Sequence, residues 1–145
     1  PEARGGSARS DVILADREIW FPKVLEPNVL VCLSQMAYDK YSALVRPGGV
    51  VITDPFTVRR WQHANSREIE VPLHDAIVAM HGGNQNATQG INIGLLGALS
   101  RLTPIVSFEA IRTAVVKHFD PRYREVNLRA LETGGGLIAE SVATF

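Results

Sequence analysis

Short, uninterrupted apolar runs bounded by turn residues mark the first half of the chain. Residues 29–33 and 50–53 are runs of strand length without polar alternation, which is typical of parallel strands covered on both faces. Ser34 follows the first run in the position of a helix N-cap, and a Pro-Gly-Gly turn at 47–49 ends the helix predicted over residues 35–45. The pattern predicts a strand–helix–strand unit, whose crossover is expected to be right-handed.

Apolar residues in the second half recur mainly at helical spacing. Residues 68–71 alternate between polar and apolar positions and predict a third, shorter strand. Helices are predicted over residues 73–80, 91–101, 108–119 and 122–132. Ser107 is expected to cap the third of these helices, and the glycines at 134–136 are expected to end the fourth. Together the elements predict an α/β fold of three layers, α/β/α, with a mostly parallel central sheet in a single domain over residues 1–145.

Two short apolar segments precede the first predicted strand. Residues 11–15 and 18–21 flank a polar pair, an arrangement that predicts a β-hairpin or a tight turn at a sheet edge. Two prolines are expected to close the segment, because proline cannot donate to a strand ladder. Trp20 and Phe21 lie beside these prolines and belong either to the core or to an apolar patch that another subunit buries.

The composition favours one globular domain without a strongly charged partner. The chain has 145 residues, of which 46% are apolar, and its formal net charge is zero. A nucleic acid or an anionic membrane would require an excess of basic side chains, so neither is an expected partner. No apolar run approaches the roughly 18 residues of a membrane span, and no secretory signal is recognised. The expected compartment is therefore the cytoplasm.

Candidate catalytic chemistry is sparse. Cys32 is the only cysteine, which excludes an internal disulfide and a cysteine-ligated zinc or iron–sulfur site in this sequence. Its place in an apolar run predicts a small buried residue. His74 and His81 do not form the His-Glu-x-x-His pattern of a metal site, and neither a nucleophile elbow nor a complete phosphate-binding loop is found. A chain without a complete active site is expected to act with partners.

Several motifs, taken in order, resemble one enzyme family. They are Glu-x-Arg-Gly-Gly-Ser at 2–7, Leu-Ser-Gln at 33–35, Tyr-Asp-Lys-Tyr at 38–41, Pro-Gly-Gly at 47–49 and Ser-Phe-Glu-Ala at 107–110. As a set they are similar to the gamma subunit of the 2-oxoacid:acceptor oxidoreductases, which include the pyruvate, 2-oxoglutarate and indolepyruvate:ferredoxin enzymes. The resemblance extends from Glu2 to about Leu131. Because that gamma domain begins further upstream with a glycine-rich strand and loop, this sequence is expected to be N-terminally incomplete or to leave that function to another chain.

The resemblance implies a place in a multi-subunit enzyme. The complex would oxidatively decarboxylate a 2-oxoacid with thiamine diphosphate and magnesium, transfer the acyl group to coenzyme A, and pass electrons through iron–sulfur clusters to ferredoxin or a similar acceptor. These cofactors are expected on the partner subunits, and this chain is expected to be an accessory gamma subunit without catalytic residues. The rival interpretation is a stand-alone small-ligand or nucleotide-binding α/β module. A subunit should expose a large apolar face, whereas a free module should not.

The beginning of the chain carries most of the predicted contact residues. Five of them are implied to form a loop that faces a partner subunit or the active-site region: Glu2, Arg4, Gly5, Gly6 and Ser7. An arginine fork suits phosphate or carboxylate, and glycines allow close backbone approach. The alternative is that Arg4 only pairs with Glu2 or with a neighbouring loop, since surface ion pairs are common.

Three further polar residues complete the predicted contacts. Ser34 and Gln35 follow a strand, at the sheet edge where open α/β folds bind ligands. The alternative for them is a plain N-cap with Tyr38 packed on the sheet. Asn92 is a polar residue in an apolar helix, which indicates a hydrogen bond to another helix or subunit, or a ligand contact. Small residues after Asn92 favour close packing of that helix against a partner.

Overall fold

The structure is a computed structural model that describes residues 8–59, 66–84 and 89–138. Contacts divide the chain into two compact units, Pro1–Glu70 and Val71–Phe145. The first holds β1 (Val29–Cys32), α1 (Gln35–Tyr41), β2 (Val50–Thr53) and β3 (Arg67–Glu70). The second holds α2 (Leu73–Met80), α3 (Ile91–Leu102), α4 (Phe108–His118) and α5 (Pro121–Gly136). None of the helices in the described ranges combines the length and apolar character of a membrane span.

The three strands of the first unit form a parallel sheet. Their order is β1-β2-β3, and the register aligns Val31 with Ile52 and Ile52 with Ile69. β2 lies in the middle and all four of its residues are buried, as its uninterrupted apolar sequence predicts. β1 pairs with one strand only in the described part of the chain, and three of its four residues are half-buried. The parallel α/β sheet is confirmed, whereas burial on both faces holds for β2 and not for β1.

The helix after β1 is about one turn shorter than predicted. Ser34 accepts a hydrogen bond from a backbone amide of the first turn at 3.2 Å, so the capping role is confirmed. α1 ends at Tyr41, and the chain continues as a 3-10 turn over Ser42–Leu44. The Ser42 hydroxyl donates back to the Tyr38 carbonyl. Serine bonds of this kind compete with the helical pattern and bend or end helices.

The core of the first unit lies against one face of the sheet. It consists of Cys32, Tyr38, Val45, Val51 and Val58. Cys32 and Tyr38 are both fully buried, which confirms the predicted burial of the cysteine and the interpretation of Tyr38 as a residue packed on the sheet. α1 and the sheet are thereby fixed to each other by side chains that contact one another directly.

A segment without helix or strand precedes β1. Residues 11–15 and 18–21 do not pair as strands, so the hairpin alternative is wrong, and between the two segments the chain has only a bend at residues 16–17. Arg9 holds the segment instead, because its Nη2 donates to the Val24 carbonyl at 2.7 Å and its Nε donates to Asp11 at 2.6 Å. We call residues 9–24 the strap.

The apolar side chains of the strap are exposed. Trp20 is 85% exposed and Val12 is 75% exposed. An isolated hairpin is marginal in water unless one face packs on a further layer, and the described residues of the first unit leave these side chains exposed. The interpretation of Trp20 and Phe21 as core residues is therefore wrong, and an apolar patch on the surface of this unit remains.

Two helices of the second unit, α4 and α5, begin with a side-chain N-cap. Ser107 accepts a hydrogen bond from an amide of the first turn of α4 at 3.2 Å, which confirms the predicted cap. Asp120 accepts one from the Arg122 amide at 3.0 Å, and Pro121 occupies the first turn of α5. Apolar residues of all four helices form the core: Ile77, Ile93, Val115, Ala130 and Leu131.

α3 and α5 pack with their backbones almost in contact. A Cβ atom on Gly134 would overlap the backbone of Gly94, and one on Gly97 would overlap the Leu131 carbonyl. The three glycines do not end the last helix as predicted, since α5 continues through them to Gly136. The close approach explains the difference, because its packing outweighs the cost of glycine in a helix, about 1 kcal/mol per residue.

Candidate functional site

The carboxyl ends of β1 and β2 form the first candidate site. Ser34 and Gln35 follow β1, and Asp54 follows β2. The two strands are adjacent and parallel, so the structure brings both ends to one edge of the sheet. This edge is where open parallel sheets place their ligands.

Ser34 and Gln35 make contacts within the first unit. Ser34 is exposed and its hydroxyl caps α1. Gln35 donates from Nε2 to Asp39 at 2.9 Å, and its Oε1 accepts from the Arg59 amide at 2.9 Å. Gln35 therefore joins α1 to the segment after β2. Binding by either residue stays a prediction, and a ligand at Gln35 would have to replace one of these two bonds.

Asp54 is a polar residue of this edge that the sequence reasoning did not single out. It is 3% exposed. Its Oδ1 accepts from the Phe56 amide at 2.9 Å, and its carbonyl accepts from the amides of Thr57 and Val58. These bonds form an Asx-type turn that shapes the chain as it leaves β2. The signal in the sequence is an Asp-Pro pair directly after an apolar run, which favours turn initiation.

Polar groups also lie on the sheet face that carries the first core. The Tyr38 hydroxyl donates to Glu68 Oε1 at 2.8 Å. Burial raises the pKa of Cys32 to about 11, and the negative charge of Glu68 adds to the effect. Cys32 is thus a neutral thiol near pH 7, which suits packing and not nucleophilic attack or metal ligation. Thr53 lies beside Cys32 in the strand register, and its hydroxyl is buried without a hydrogen-bond partner among the described residues.

The remaining predicted contact residues lie elsewhere. Asn92 is exposed in the first turn of α3, in the second unit. That helix buries Ile93, Gly94 and Gly97, so Asn92 is not on its packed side. The loop residues predicted at the start lie outside the described residues: Glu2, Arg4, Gly5, Gly6 and Ser7.

The histidines of α2 make local contacts. His74 Nδ1 lies 3.3 Å from Asp75 Oδ1, and His81 Nε2 donates to the Gln89 carbonyl at 3.0 Å. Within residues 8–59, 66–84 and 89–138, no three His, Cys, Asp or Glu side chains are grouped so as to hold a metal ion.

Open depressions mark the surface of the second unit. One, of about 350 Å³, is lined by Ala76, Met80, Arg129, Glu132 and Thr133. Arg129 Nη2 donates to the Met80 carbonyl there at 3.1 Å. In a second depression the Arg101 guanidinium lies 4.6 Å from the centre of the Phe108 ring. In both places the arginine already contacts another residue of its own unit.

One family model matches nearly the whole sequence. The model of pyruvate ferredoxin/flavodoxin oxidoreductase matches residues 1–136. The chain belongs to this family. The resemblance drawn from the ordered motifs is thereby confirmed, and we refer to the chain as a gamma-type domain of the 2-oxoacid:ferredoxin oxidoreductases.

Curated relatives of the gamma-type domain are subunits of oxidoreductases. It is 39% identical over 135 residues to the 2-oxoglutarate synthase subunit KorC of Methanocaldococcus jannaschii, covering 92% of this chain and 71% of that subunit. Three other KorC subunits are 31% to 33% identical to it. It is also 31% identical over 136 residues to the ketoisovalerate oxidoreductase subunit VorA of Methanothermobacter marburgensis, covering 92% of this chain and 28% of that subunit. The same domain therefore occurs within much longer chains.

A solved structure has the same architecture. The gamma subunit of the keto/oxoacid ferredoxin oxidoreductase from Geobacter sulfurreducens aligns with a TM-score of 0.69 and 28% identity, covering 85% of this chain and 67% of that chain. The predicted α/β class is confirmed by this likeness and by the parallel sheet.

Proposed function

We propose that the gamma-type domain is the gamma subunit of a 2-oxoglutarate:ferredoxin oxidoreductase. The complex would oxidise 2-oxoglutarate with release of CO₂, form the acyl thioester of coenzyme A, and pass the electron pair to ferredoxin or a similar acceptor. The similarity to KorC, at 39% identity over 92% of this chain, carries the choice of 2-oxoglutarate. Pyruvate and the branched 2-oxoacids are the competing substrates.

The residues of this chain indicate which cofactors other parts of the complex would hold. Iron–sulfur clusters need several cysteine thiolates, and Cys32 is the only cysteine and a buried neutral thiol. These 145 residues therefore do not fit a cluster, and the proposal puts the clusters on other chains or domains of the complex. The proposal puts thiamine diphosphate and its magnesium ion on those parts of the complex too, because a magnesium ion needs several oxygen ligands close together. The gamma-type domain supports the catalytic centre by contact.

We propose that Arg4 makes the contact between this domain and the catalytic centre. In this proposal Arg4 binds a phosphate of coenzyme A or a carboxylate of a partner subunit, and its neighbours in the sequence, Glu2, Gly5, Gly6 and Ser7, belong to the same contact. A bidentate arginine recognises either group, and glycines leave room for the ligand at the backbone. Ser34, Gln35 and Asn92 are further proposed contacts. Of these three, Asn92 is exposed on α3 and needs no internal bond broken.

Purification of the assembled enzyme tests the proposed function. The complex would be isolated from its host under anaerobic conditions through a tag on this chain, and reduction of a viologen dye would be followed with coenzyme A and one 2-oxoacid at a time. We expect kcat/KM for 2-oxoglutarate to exceed that for pyruvate and 2-oxoisovalerate at least about tenfold, the lower end of the discrimination that a binding pocket achieves for a difference of one methylene group. A preference for another 2-oxoacid rejects the substrate, and isolation of an inactive chain without partners rejects the function.

Substitution in the same complex tests the contact residue. Arg4→Ala should raise KM for coenzyme A or weaken subunit assembly by about tenfold, because a charge-assisted bond of this kind contributes about 1.5–3 kcal/mol. The matched control is Arg112→Ala, which removes an exposed arginine of α4 that lies 4.0 Å from Glu109. If the two variants behave alike, the role proposed for Arg4 is wrong.

The stand-alone binding module is the less favoured function. A free module has no use for large exposed apolar side chains, and such side chains lower solubility. The strap carries several of them. Together with membership of an oxidoreductase family, this feature supports the subunit.

A further inference from the structure

The first turn of α3 has backbone amides without a side-chain cap. Gly90 precedes the helix, is buried and has a φ of 100°. A larger residue does not fit there, because a Cβ atom on Gly90 would lie 2.8 Å from the Cβ of Ala130. The first intrahelical bond runs from the Gly94 amide to the Gly90 carbonyl, so the amides of residues 91–93 have no partner within the helix. Amides and dipole together favour an anion at such a helix start.

The helix α5 runs in the same direction as α3 where the two helices touch. Gly90 lies against Ala130, and Gly94 lies against Gly134, four residues further along both helices. The part of α5 before Ala130 therefore extends past the first residue of α3, on the side towards which the free amides point. Side chains that face α3 from this part of α5 lie at the open end of α3.

Asn127 is one of these side chains. It lies seven positions before Gly134, and seven residues are about two helical turns, so its side chain leaves α5 in the direction of α3. Asn127 is only 5% exposed. None of the hydrogen bonds between described residues involves its side-chain amide. A buried amide is rarely left in this condition, because nothing then replaces its hydrogen bonds to water.

Arg124 brings a positive charge to the same side of α5. It lies three positions before Asn127, a spacing that makes two helical residues neighbours on the helix surface. Its Nε is buried and has no hydrogen-bond partner among the described residues. None of the ion pairs in the described ranges includes Arg124. Since a guanidinium stays charged, this group requires an anion that the described residues do not supply.

The donors at the open end of α3 suit a phosphate group. They are the amides of residues 91–93, the side-chain amide of Asn127 and the Nε of Arg124. A phosphate group has three strong acceptor oxygens and can accept from backbone and side chains at once, whereas a carboxylate has two oxygens in one plane. Gln89 and Asn92, on either side of Gly90 and Ile91, are exposed, so this end of α3 is at the surface.

We propose that the start of α3, with Asn127 and Arg124, binds the phosphate group of a small solute. Inorganic phosphate and a phosphate monoester both present this group. All the donors belong to the second unit, and none of them belongs to the contact proposed for Arg4. The inference goes beyond the proposed function, and its test measures binding, so it succeeds or fails independently of the 2-oxoacid that is oxidised.

Titration calorimetry provides the main test. The full-length chain would be used in the assembly in which it is purified, with coenzyme A and thiamine diphosphate at saturation so that any sites for them are filled. Inorganic phosphate, glycerol 3-phosphate and succinate would be titrated separately. At least one of the two phosphates should bind at least tenfold more tightly than succinate, and the tighter one identifies the source of the group. The proposal is overturned if neither phosphate binds, as when an acidic side chain from outside residues 1–145 occupies the donors, or if succinate binds as tightly.

Removal of the charge tests whether Arg124 belongs to the site. Arg124→Gln should weaken the affinity for the tighter phosphate at least tenfold, the scale of a charge-assisted hydrogen bond. Arg122→Gln is the matched control, because Arg122 lies two positions earlier on the other side of α5 and pairs with Asp120. It should leave the affinity within twofold of the unsubstituted chain. Equal affinities in the two variants would overturn the proposal.

Asn127→Asp separates a binding role from a structural one. The substitution keeps the shape of the side chain but places a negative charge where the phosphate would lie, and this carboxylate can itself interact with the free amides and with Arg124. Phosphate binding should be lost while the melting temperature does not fall. A lower melting temperature with unchanged phosphate affinity would show that Asn127 only packs, which contradicts the proposed site.

Hydrogen exchange locates the bound phosphate without substitution. The amides of residues 91–93 should exchange several-fold more slowly when the tighter phosphate is present, because they donate to it. The amides at the start of α4, which Ser107 caps, serve as the control and should be unaffected. Unchanged exchange at residues 91–93 in the presence of bound phosphate would place the binding elsewhere and overturn the proposal.

Discussion

The two units of the chain differ in the room that they leave for large side chains. In the second unit, α3 and α5 approach so closely at Gly94 and Gly134 that a single methyl group has no room. In the first unit, the strap exposes large side chains such as Trp20 and is held by hydrogen bonds of Arg9. The helix contact depends on residues without side chains, whereas the strap carries large side chains that are mostly exposed.

The difference separates positions at which added atoms lower stability from positions that contribute little to stability. Additions at the α3–α5 contact act on stability, because interiors are close-packed and cannot absorb extra atoms. Changes in the strap should leave stability nearly unchanged, since exposed positions contribute little to it. Substitutions in both units test this expected difference in stability.

The largest effect is expected at the helix contact. Gly134→Ala places a methyl group into the backbone of Gly94, and the free energy of unfolding should fall by about 3 kcal/mol or more, at the upper end of overpacking costs. Urea unfolding measures the change. Gly136→Ala is the control, because a Cβ there meets no atom within 4 Å and alanine is the better helix former. Similar urea midpoints for the two variants would show that the helices are not in close contact.

A pH-dependent effect is expected from the core of the first unit. The pKa of Cys32 rises from its ordinary value of 9.0 to about 11 on folding. The folded state thus holds the thiol proton more tightly, so the stability from this group is complete below about pH 9 and is lost as the pH rises towards 11. Between these values the free energy of unfolding should fall more steeply than in Cys32→Ala, by up to about 1.4 kcal/mol per pH unit. Parallel pH profiles would contradict the buried thiol.

A smaller effect is expected at the cap of α1. Ser34→Ala should lower the free energy of unfolding by about 1 kcal/mol, and Ser34→Asp should restore it, because aspartate caps as well as serine. The pair also tests the proposed binding role in the assembled enzyme. If Ser34 only caps, KM for coenzyme A and 2-oxoglutarate stays the same in Ser34→Asp. A changed KM in this stable variant would indicate a ligand contact.

The smallest effect on stability is expected at the base of the strap. Arg9→Lys should leave the free energy of unfolding nearly unchanged, as is usual for exposed ion pairs. Amides between residues 10 and 24 should nevertheless exchange several-fold faster, because lysine lacks the fork that reaches two acceptors. Arg112→Lys, in α4, serves as the control and should not alter strap exchange. Equal exchange in both variants would show that Arg9 does not hold the strap.

The parts of the fold with strong local signals could be predicted from the sequence. The buried run of β2 and the caps at Ser34 and Ser107 are encoded by neighbouring residues. The start of α5 is marked by the Asp-Pro pair at 120–121. In each case the determining contact lies within a few positions along the chain, so periodicity and residue type were sufficient.

The predictions that failed concern parts of the fold that depend on contacts between residues far apart in the sequence. The hairpin was predicted from two apolar segments around a polar pair, but neither segment forms a strand, and Arg9 bonds to Val24 across 15 positions instead. The three glycines at 134–136 are an ordinary stop signal, but Gly94 on another helix turns them into a packing surface. Neither outcome is visible in a local pattern.

The candidate site, like the fold, could be predicted only in part from the sequence. The strand-end position of Ser34 and Gln35 follows from the order of elements, and the structure brings the ends of β1 and β2 to one edge. The hydrogen bond between Gln35 and the Arg59 amide spans 24 positions and could not be read from spacing. The roles of the residues before Ala8 stay predictions.

The bond from Arg9 to Val24 has a consequence for the conformational entropy of the folded chain. Fixing the backbone of one residue costs about 1–2 kcal/mol of conformational freedom. Because this bond joins the two ends of the strap, the folded chain has already lost part of the backbone freedom of the strap. A chain with a different residue at position 9 would keep more of this freedom, although its Trp20 would be unchanged.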